Sequence, residues 1–191
     1  MVDPPPRIDW IPASDFGDGL PGRIAMTVLP GKQGPSVRYP GRVYRADLEQ
    51  DLAALSGAGI GRLILLVDDA ELARWSDSAL VERAAVFGVE IRRHPMTDGF
   101  PPSSTGEMDE ILRSLMEARS AGDVAVACMG GVGRTGTVAA CALVAAGWEA
   151  AAAIARVRER RHPMAVETEA QELFVLTYWS ERLPGSATVS P

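Results

Sequence analysis

Apolar residues along this chain follow two alternating spacings. Short continuous runs, Arg62 to Val67 and Val124 to Ala127, are bounded by charged residues or glycine and read as buried strands. Val89 to His94 reads as a third strand, and Arg42 to Arg45 as a short one. Ile24 to Leu29 mixes apolar with small residues, is closed by Pro30-Gly31, and reads as an edge strand. Elsewhere the apolar positions return every three or four residues. Leu48, Leu52 and Leu55 form a stripe over Asp47 to Ser56, ended by Gly57 and Gly59. Ile111, Leu112, Leu115 and Met116 form another over Ser104 to Ala121. Leu80 to Phe87 continues as helix to Gly88, and Thr137 to Leu183 is nearly all helical, with breaks near Gly147 and Pro163.

Local signals place the helix starts. Asp69 is the expected N-cap of a helix with Glu71 and Leu72 in its first turn. The adjacent Asp68 and Asp69 also invite a metal or acid–base reading, but no further ligands cluster nearby. Ser104 with Glu107 has the spacing of a capping box. Strands alternating with helices predict an α/β fold, a central mostly parallel sheet flanked by helices on both faces. Chemistry then belongs at the carboxyl ends of the strands. Residues 1–22, rich in Pro, Asp and Gly, read as an irregular N-terminal arm that Trp10 and Ile11 can dock. Lys32 to Pro40 reads as loop, residues 23–183 as the domain and 184–191 as a frayed tail. No internal repeat or second domain is visible.

Composition narrows the classes. The 191 residues suit one domain, and 47% hydrophobic with 23% charged is an ordinary globular balance. A net charge of −6 argues against nucleic acid as the main partner and against an anionic membrane surface. The two cysteines, Cys128 and Cys141, suggest no disulfide framework. They lie 13 residues apart along strand, loop and helix, which makes Cys141 a core cysteine rather than a disulfide partner. Met1-Val-Asp-Pro-Pro-Pro is polar and rigid, unlike a signal peptide, and the stretch Val138 to Trp148 is too short to span a bilayer. A cytoplasmic location is the expectation.

The chemistry concentrates between Asp123 and Gly147. A short strand runs into Cys128-Met-Gly-Gly-Val-Gly-Arg134-Thr135-Gly136, and an Ala/Val/Leu helix follows. Glycines let successive N–H groups point into one concavity. The helix start adds unpaired donors and the positive end of a dipole. Arg134 can grip two phosphate oxygens at once. The field that holds a dianion also favours a thiolate, which makes Cys128 the expected nucleophile, with the Thr135 hydroxyl close by. Met129, Gly130, Gly131, Val132, Gly133 and Arg134 would together hold the phosphate.

Other readings of the loop fail on context. Gly131-Val-Gly133-Arg-Thr-Gly136 satisfies the dinucleotide pattern, which needs a following strand ending in an acid about twenty positions on. An Ala-rich helical stretch follows instead, and only 55 residues remain. A P-loop reading fails because no lysine follows Gly133; Lys32 is the only lysine in the chain.

A cysteine nucleophile needs a general acid for the leaving oxygen. His94-Pro-Met-Thr-Asp98-Gly-Phe-Pro-Pro102 leaves the same sheet edge as Cys128, with Asp98 in its middle. Asp98 is the candidate acid and later base; the competing reading is a turn residue bonding its own backbone. His94 reads as a packed or capping histidine, and Arg92 and Arg93 as a solvated face or ion-pair partners. Arg156, Arg158, Arg160 and Arg161 read either as a basic surface for an acidic substrate or as cations at a helix C-terminus.

The segment from Cys128 to Gly136 resembles the signature loop of the cysteine-dependent protein phosphatases: Cys, five residues, Arg, then Ser or Thr. Its glycine pattern looks like the dual-specificity branch, of the kinase-associated phosphatase (cyclin-dependent kinase inhibitor) type with its bacterial relatives. That family usually has His before the nucleophile, where this chain has Ala127. The Asp98 segment resembles the family's general-acid loop, although Pro95 directly follows His94. Thr168 and Gln171 resemble a segment in which, in related tyrosine phosphatases, a Gln orients the hydrolytic water; the same pair fits a capping box. The resemblance runs from about Ile24 to Phe174 and implies a phosphocysteine intermediate, with Thr135 helping the thiolate to leave. It implies phosphotyrosine and phosphoserine/threonine substrates, on a phosphorylated protein or small phosphomonoester, with no metal or other cofactor. Two alternatives stay open: a phosphate-binding pseudophosphatase or interaction module, favoured by Ala127, and a small-molecule (phosphoinositide-type) phosphatase, disfavoured by Met129 and Val132 where lysines would be expected.

Overall fold

Alternation along the strand Asp123–Cys128 decides how the layers are built. Val124, Val126 and Cys128 join one core cluster, while Ala125 and Ala127 join the other. The computed structural model describes residues 1–37 and 39–183; the tail expected over 184–191 lies outside them. Among the described residues the order is β1 (Asp9–Ile11), β2 (Ile24–Val28), β3 (Gln33–Pro35), β4 (Val43–Arg45), α1 (Leu48–Gly57), β5 (Ile60–Leu65), α2 (Asp69–Trp75), α3 (Leu80–Val86), β6 (Glu90–Arg93), α4 (Thr105–Ala121), β7 (Asp123–Cys128), α5 (Gly133–Ala145), α6 (Ala150–Arg160) and α7 (Glu169–Ser180).

The main sheet has the order β1-β2-β7-β5-β6, with β1 antiparallel and the other neighbours parallel. α1, α2 and α3 cover one face through Leu52, Leu55, Trp75 and Leu80. α4 to α7 cover the other through Leu115, Leu143, Ile154 and Val175. Each such side chain that is fully buried contributes roughly 1.5–3 kcal/mol. α5 is buried along 12 of its 13 residues. Its alanines let α6 and α7 approach it closely, and Cys141 is buried among them as a free thiol, so the core reading of that residue holds. The expected α/β architecture is what the chain adopts.

Several local expectations are corrected. β2 is an interior strand, between β1 and β7, and the edge is β1 from the segment expected to be irregular. A strand of three residues shows no period; β1 exists because it pairs with β2, from Asp9 opposite Met26 to Ile11 opposite Ile24. Arg119 of α4 fixes this arm. It is fully buried, donates to the Gly22 carbonyl at 2.9 Å and to Asp18 at 2.6 Å, and lies 3.9 Å from the Phe16 ring centroid. Lys32 to Pro40 is loop only in part, because β3 pairs with β4 as a hairpin. The cap of α2 is Asp68, not Asp69: Asp68 accepts from the Glu71 N–H at 2.7 Å, and Glu71 accepts from the Asp68 N–H. Ser104 caps α4, but the Glu107 carboxylate turns to Ser103 instead of closing the box.

Candidate active site

The four parallel strands end at one edge of the sheet, and each leads to a residue of the site. β7 ends in Cys128, which is 3% exposed. β2 leads through a turn to Lys32, β5 leads to Glu71 in the first turn of α2, and β6 leads to Asp98.

The loop after Cys128 is oriented from outside by cations. Arg161, at the end of α6, donates through Nε to the Gly131 carbonyl at 2.9 Å and through its terminal nitrogen to the Gly130 carbonyl at 3.4 Å. Lys32 Nζ donates to the Met129 carbonyl at 3.2 Å. A trans peptide points its C=O and N–H in opposite directions. Turning these carbonyls outward therefore turns the N–H groups of Gly130, Gly131 and Val132 toward the loop interior. Gly131 is required here: its φ is +65°, and a Cβ would stand 2.2 Å from the Thr27 carbonyl.

Arg134 is gripped by Glu71, whose two carboxylate oxygens accept at 2.6 and 2.7 Å. The Met96 carbonyl accepts a further bond at 2.9 Å. Burial works against the guanidinium's charge, but the Glu71 hydrogen bonds and the fields of Cys128, Glu71 and Asp98 outweigh it and raise its pKa. Among the described residues, Arg134 Nε has no hydrogen-bond partner, and neither has the buried Thr135 hydroxyl.

Asp98 stands in a turn closed by the Phe100 N–H donating to Thr97. Its carboxylate, 77% exposed, lies 2.9 Å from an Arg134 terminal nitrogen. The turn is tied down by Thr168, whose hydroxyl donates to the Gly99 carbonyl at 2.8 Å. Thr168 also caps α7 in a full capping box with Gln171. Gln171 is buried, and its amide lies 3.1–3.2 Å from where a Cβ on Gly133 would be, so it packs where the loop becomes helix. Its Oε1 accepts from the Glu167 N–H at 2.9 Å, while Nε2 has no partner among the described residues.

The remaining candidates lie elsewhere. Asp68 is a cap and Asp69 pairs with Arg93, so both carboxylates have structural partners. His94 Nε2 and the Ser114 hydroxyl are 2.9 Å apart, and burial lowers the imidazole's pKa; it is a packed histidine. Arg92 pairs with Glu90 and Glu117. Of the two readings of the arginine run, the structural one fits better: Arg156 pairs with Asp15, Arg158 with Glu172, and Arg161 with the loop and Asp9. Among the described residues no group of three or more His, Cys, Asp or Glu side chains could hold a metal ion.

Sequence reasoning missed Lys32, Glu71 and Arg161. Glu71 looked sufficient as a first-turn acid, and Arg161 as a helix-end cation. That the chain has a single lysine was the one sequence signal for Lys32, and it does not say where the side chain lies. Beside the loop opens a groove of about 490 Å³, lined by Arg7, Tyr39, Val132, His162 and Met164.

Residues 42–175 match the PTP-SAK family, described as a Swiss Army Knife protein, DSP-PTPase phosphatase domain. Cyclin-dependent kinase inhibitor 3 of Rattus norvegicus is 27% identical over 143 residues, 73% of this chain and 62% of that protein. The chain thus spans less than two-thirds of the length of the curated relatives it matches. Among solved structures, kinase associated phosphatase with its catalytic-site cysteine replaced by serine superimposes with a TM-score of 0.79 at 22% identity, covering 94% of this chain and 98% of that one. Tk-PTP in the active form gives 0.66 at 30% identity, covering 86% and 95%.

Proposed function

Because the chain belongs to the DSP-PTPase phosphatase domain family, we propose that it hydrolyses phosphomonoesters through a phosphocysteine on Cys128. The Cys128 thiolate attacks phosphorus while the bond to the leaving oxygen breaks, and Asp98 gives that oxygen its proton. Water then attacks phosphorus, the Asp98 carboxylate takes a proton from it, and the P–S bond breaks to release inorganic phosphate and the thiolate. The inward amides and Arg134 hold the equatorial oxygens through both steps, and Thr135 steadies the departing sulfur. The buried Thr135 hydroxyl without a partner fits that role, as the unpaired amide nitrogen of Gln171 fits one toward the hydrolytic water.

The observation that carries this reading is the convergence on one guanidinium. Arg134, at the end of the signature loop, is 2.9 Å from Asp98, so the anion clamp and the acid face the same point. The substrate class proposed is a phosphorylated protein side chain, phosphotyrosine or phosphoserine/threonine. A thiolate nucleophile together with two unpaired cysteines suits a reducing compartment such as the cytoplasm.

Turnover of para-nitrophenyl phosphate and of phosphotyrosine and phosphothreonine peptides tests it. Expected are loss of all turnover in Cys128→Ser, a 10²- to 10⁴-fold fall in Asp98→Asn, roughly the range for general acid catalysis, and a rate unaffected by chelators. A parent protein that binds vanadate but turns over none of these substrates would instead mark a phosphate-binding module, the reading Ala127 favours.

A further inference from the structure

A lysine side chain is rarely buried unless something holds it. Lys32 is the only lysine in the chain, and it is 8% exposed. It is held in place by two devices. The Asp51 carboxylate of α1 accepts from the Gly31 N–H at 2.8 Å, fixing the turn before it. The Ala46 N–H donates to the Lys32 carbonyl at 3.0 Å, which sets Lys32 beside the β3–β4 hairpin. Nζ then lies 3.7 Å above the Tyr44 ring centroid and 3.2 Å from the Met129 carbonyl. A cation over an aromatic face, with one of its donors on the loop, is positioned to act on the loop.

We propose that Lys32 is a positioning residue for the nucleophile: it fixes the Met129 peptide from outside, and its charge stabilises the Cys128 thiolate and a bound oxyanion. The inference rests on the phosphatase reading and adds a second cation to it. Ala127 gives the physical reason. The residue before Cys128 is a small apolar side chain on the sheet face covered by α1 to α3, and it supplies neither charge nor donor. Lys32 reaches the neighbouring peptide, on the other side of Cys128, from the end of β2.

The surrounding charges agree with this placement. Burial lowers the lysine's pKa, while Tyr44, Cys128 and Asp98 oppose that fall, so the ammonium senses both the nucleophile and the acid. The groups that face it come from three elements: Tyr44 from β4, Asp98 from the turn after β6, and Cys128 from the end of β7. The other cations at the loop are already matched, Arg134 by Glu71 and Arg161 by Asp9. The charge on Lys32 is therefore less committed than that on Arg134.

The test reads the thiol and the anion site without requiring turnover. Cys128 alkylation by iodoacetamide is followed against pH, with vanadate affinity measured alongside, in the parent, Lys32→Met and Lys32→Gln. Cys141 is fully buried and serves as an unreactive internal reference. The expected result is a rise in the alkylation midpoint of about one pH unit in both variants, with vanadate binding weakened about tenfold, the scale of one unit charge a few ångströms away in a partly buried site. Lys32→Gln keeps a donor for the Met129 carbonyl and covers the case in which the methionine variant does not fold. Unchanged midpoint and vanadate affinity in a folded variant overturn the proposal, whatever happens to turnover. A Lys32-dependent midpoint in a parent without turnover keeps it and removes the enzyme reading instead.

Discussion

Glu71 holds Arg134 by two hydrogen bonds of 2.6 and 2.7 Å, from 63 residues away in the chain. The carboxylate is only 16% exposed and the guanidinium 1%, so the pair is a buried one. Such a pair adds little net stability, but removing one partner leaves the other uncompensated. Its value here is orientation: two bonds in one plane leave the guanidinium a single way to face the loop.

Glu71→Gln is therefore expected to lower kcat/KM by about 100-fold, the cost of misplacing a reacting group by roughly 1 Å. The α2 cap should survive, because Gln can still accept from the Asp68 N–H. Steady-state kinetics with a thermal unfolding control check this. An unchanged kcat/KM would show that Met96 and Asp98 orient Arg134 without help.

Thr168 joins two functions that lie far apart in sequence. Its hydroxyl oxygen accepts from the Gln171 N–H at 3.2 Å and its proton goes to the Gly99 carbonyl. Thr168→Val keeps the shape and loses both. The cap accounts for about 1 kcal/mol of stability. The freed turn should also let Asp98 drift, so kcat should fall several-fold while vanadate affinity stays near parental. A loss confined to stability, with kcat intact, would assign Thr168 to α7 alone.

Which parts of this site could be read in the sequence follows from the range of the interactions. The loop from Cys128 to Gly136 is contiguous, and its glycines, arginine and hydroxyl act within a few residues of one another. The buried runs at Arg62 to Val67 and Val124 to Ala127 likewise declare themselves by local composition. Asp98 was legible because it follows a strand to the same edge. Glu71 and Lys32 were not, because each acts across the sheet on a partner brought near only by strand order. β1 failed for the same reason: Asp9, Trp10 and Ile11 carry no period, and their pairing partner is β2. The choice between Asp68 and Asp69 as cap turned on one residue of helix register, which composition does not resolve.

Arg119 supplies the clearest test of how the N-terminal arm is held. Its buried guanidinium meets Asp18, the Gly22 carbonyl and the Phe16 ring. Arg119→Ala should cost about 1–3 kcal/mol, as leaving the Gly22 carbonyl without its buried donor does, and should expose the arm to proteolysis before the rest of the domain unfolds. Denaturant titration and limited digestion would show it. Loss of β1 also removes Asp9, the carboxylate 2.7 Å from Arg161, so activity should decline with the arm.

Asp51 makes stability depend on pH in an unusual direction. Burial pushes its carboxyl up to about 6 from 3.8, despite the Gly31 N–H that favours the charged form. The folded protein therefore holds this proton more tightly than the unfolded chain does. Its contribution to stability is present at low pH and is lost as pH rises from about 4 to about 6, by up to roughly 3 kcal/mol. Asp51→Asn removes that titration, and its amide oxygen can still accept from Gly31. The difference in unfolding free energy between variant and parent should thus be near zero or unfavourable below pH 4.5 and favour the variant above pH 6.5, each kcal/mol moving Tm by about 2–4 °C. Other groups, such as Asp18 and Asp123, titrate equally in both proteins and cancel. A difference that stays flat across this range would mean that Asp51 is solvated well enough to ionise freely, and that the turn before Lys32 is looser than its 2.8 Å hydrogen bond indicates.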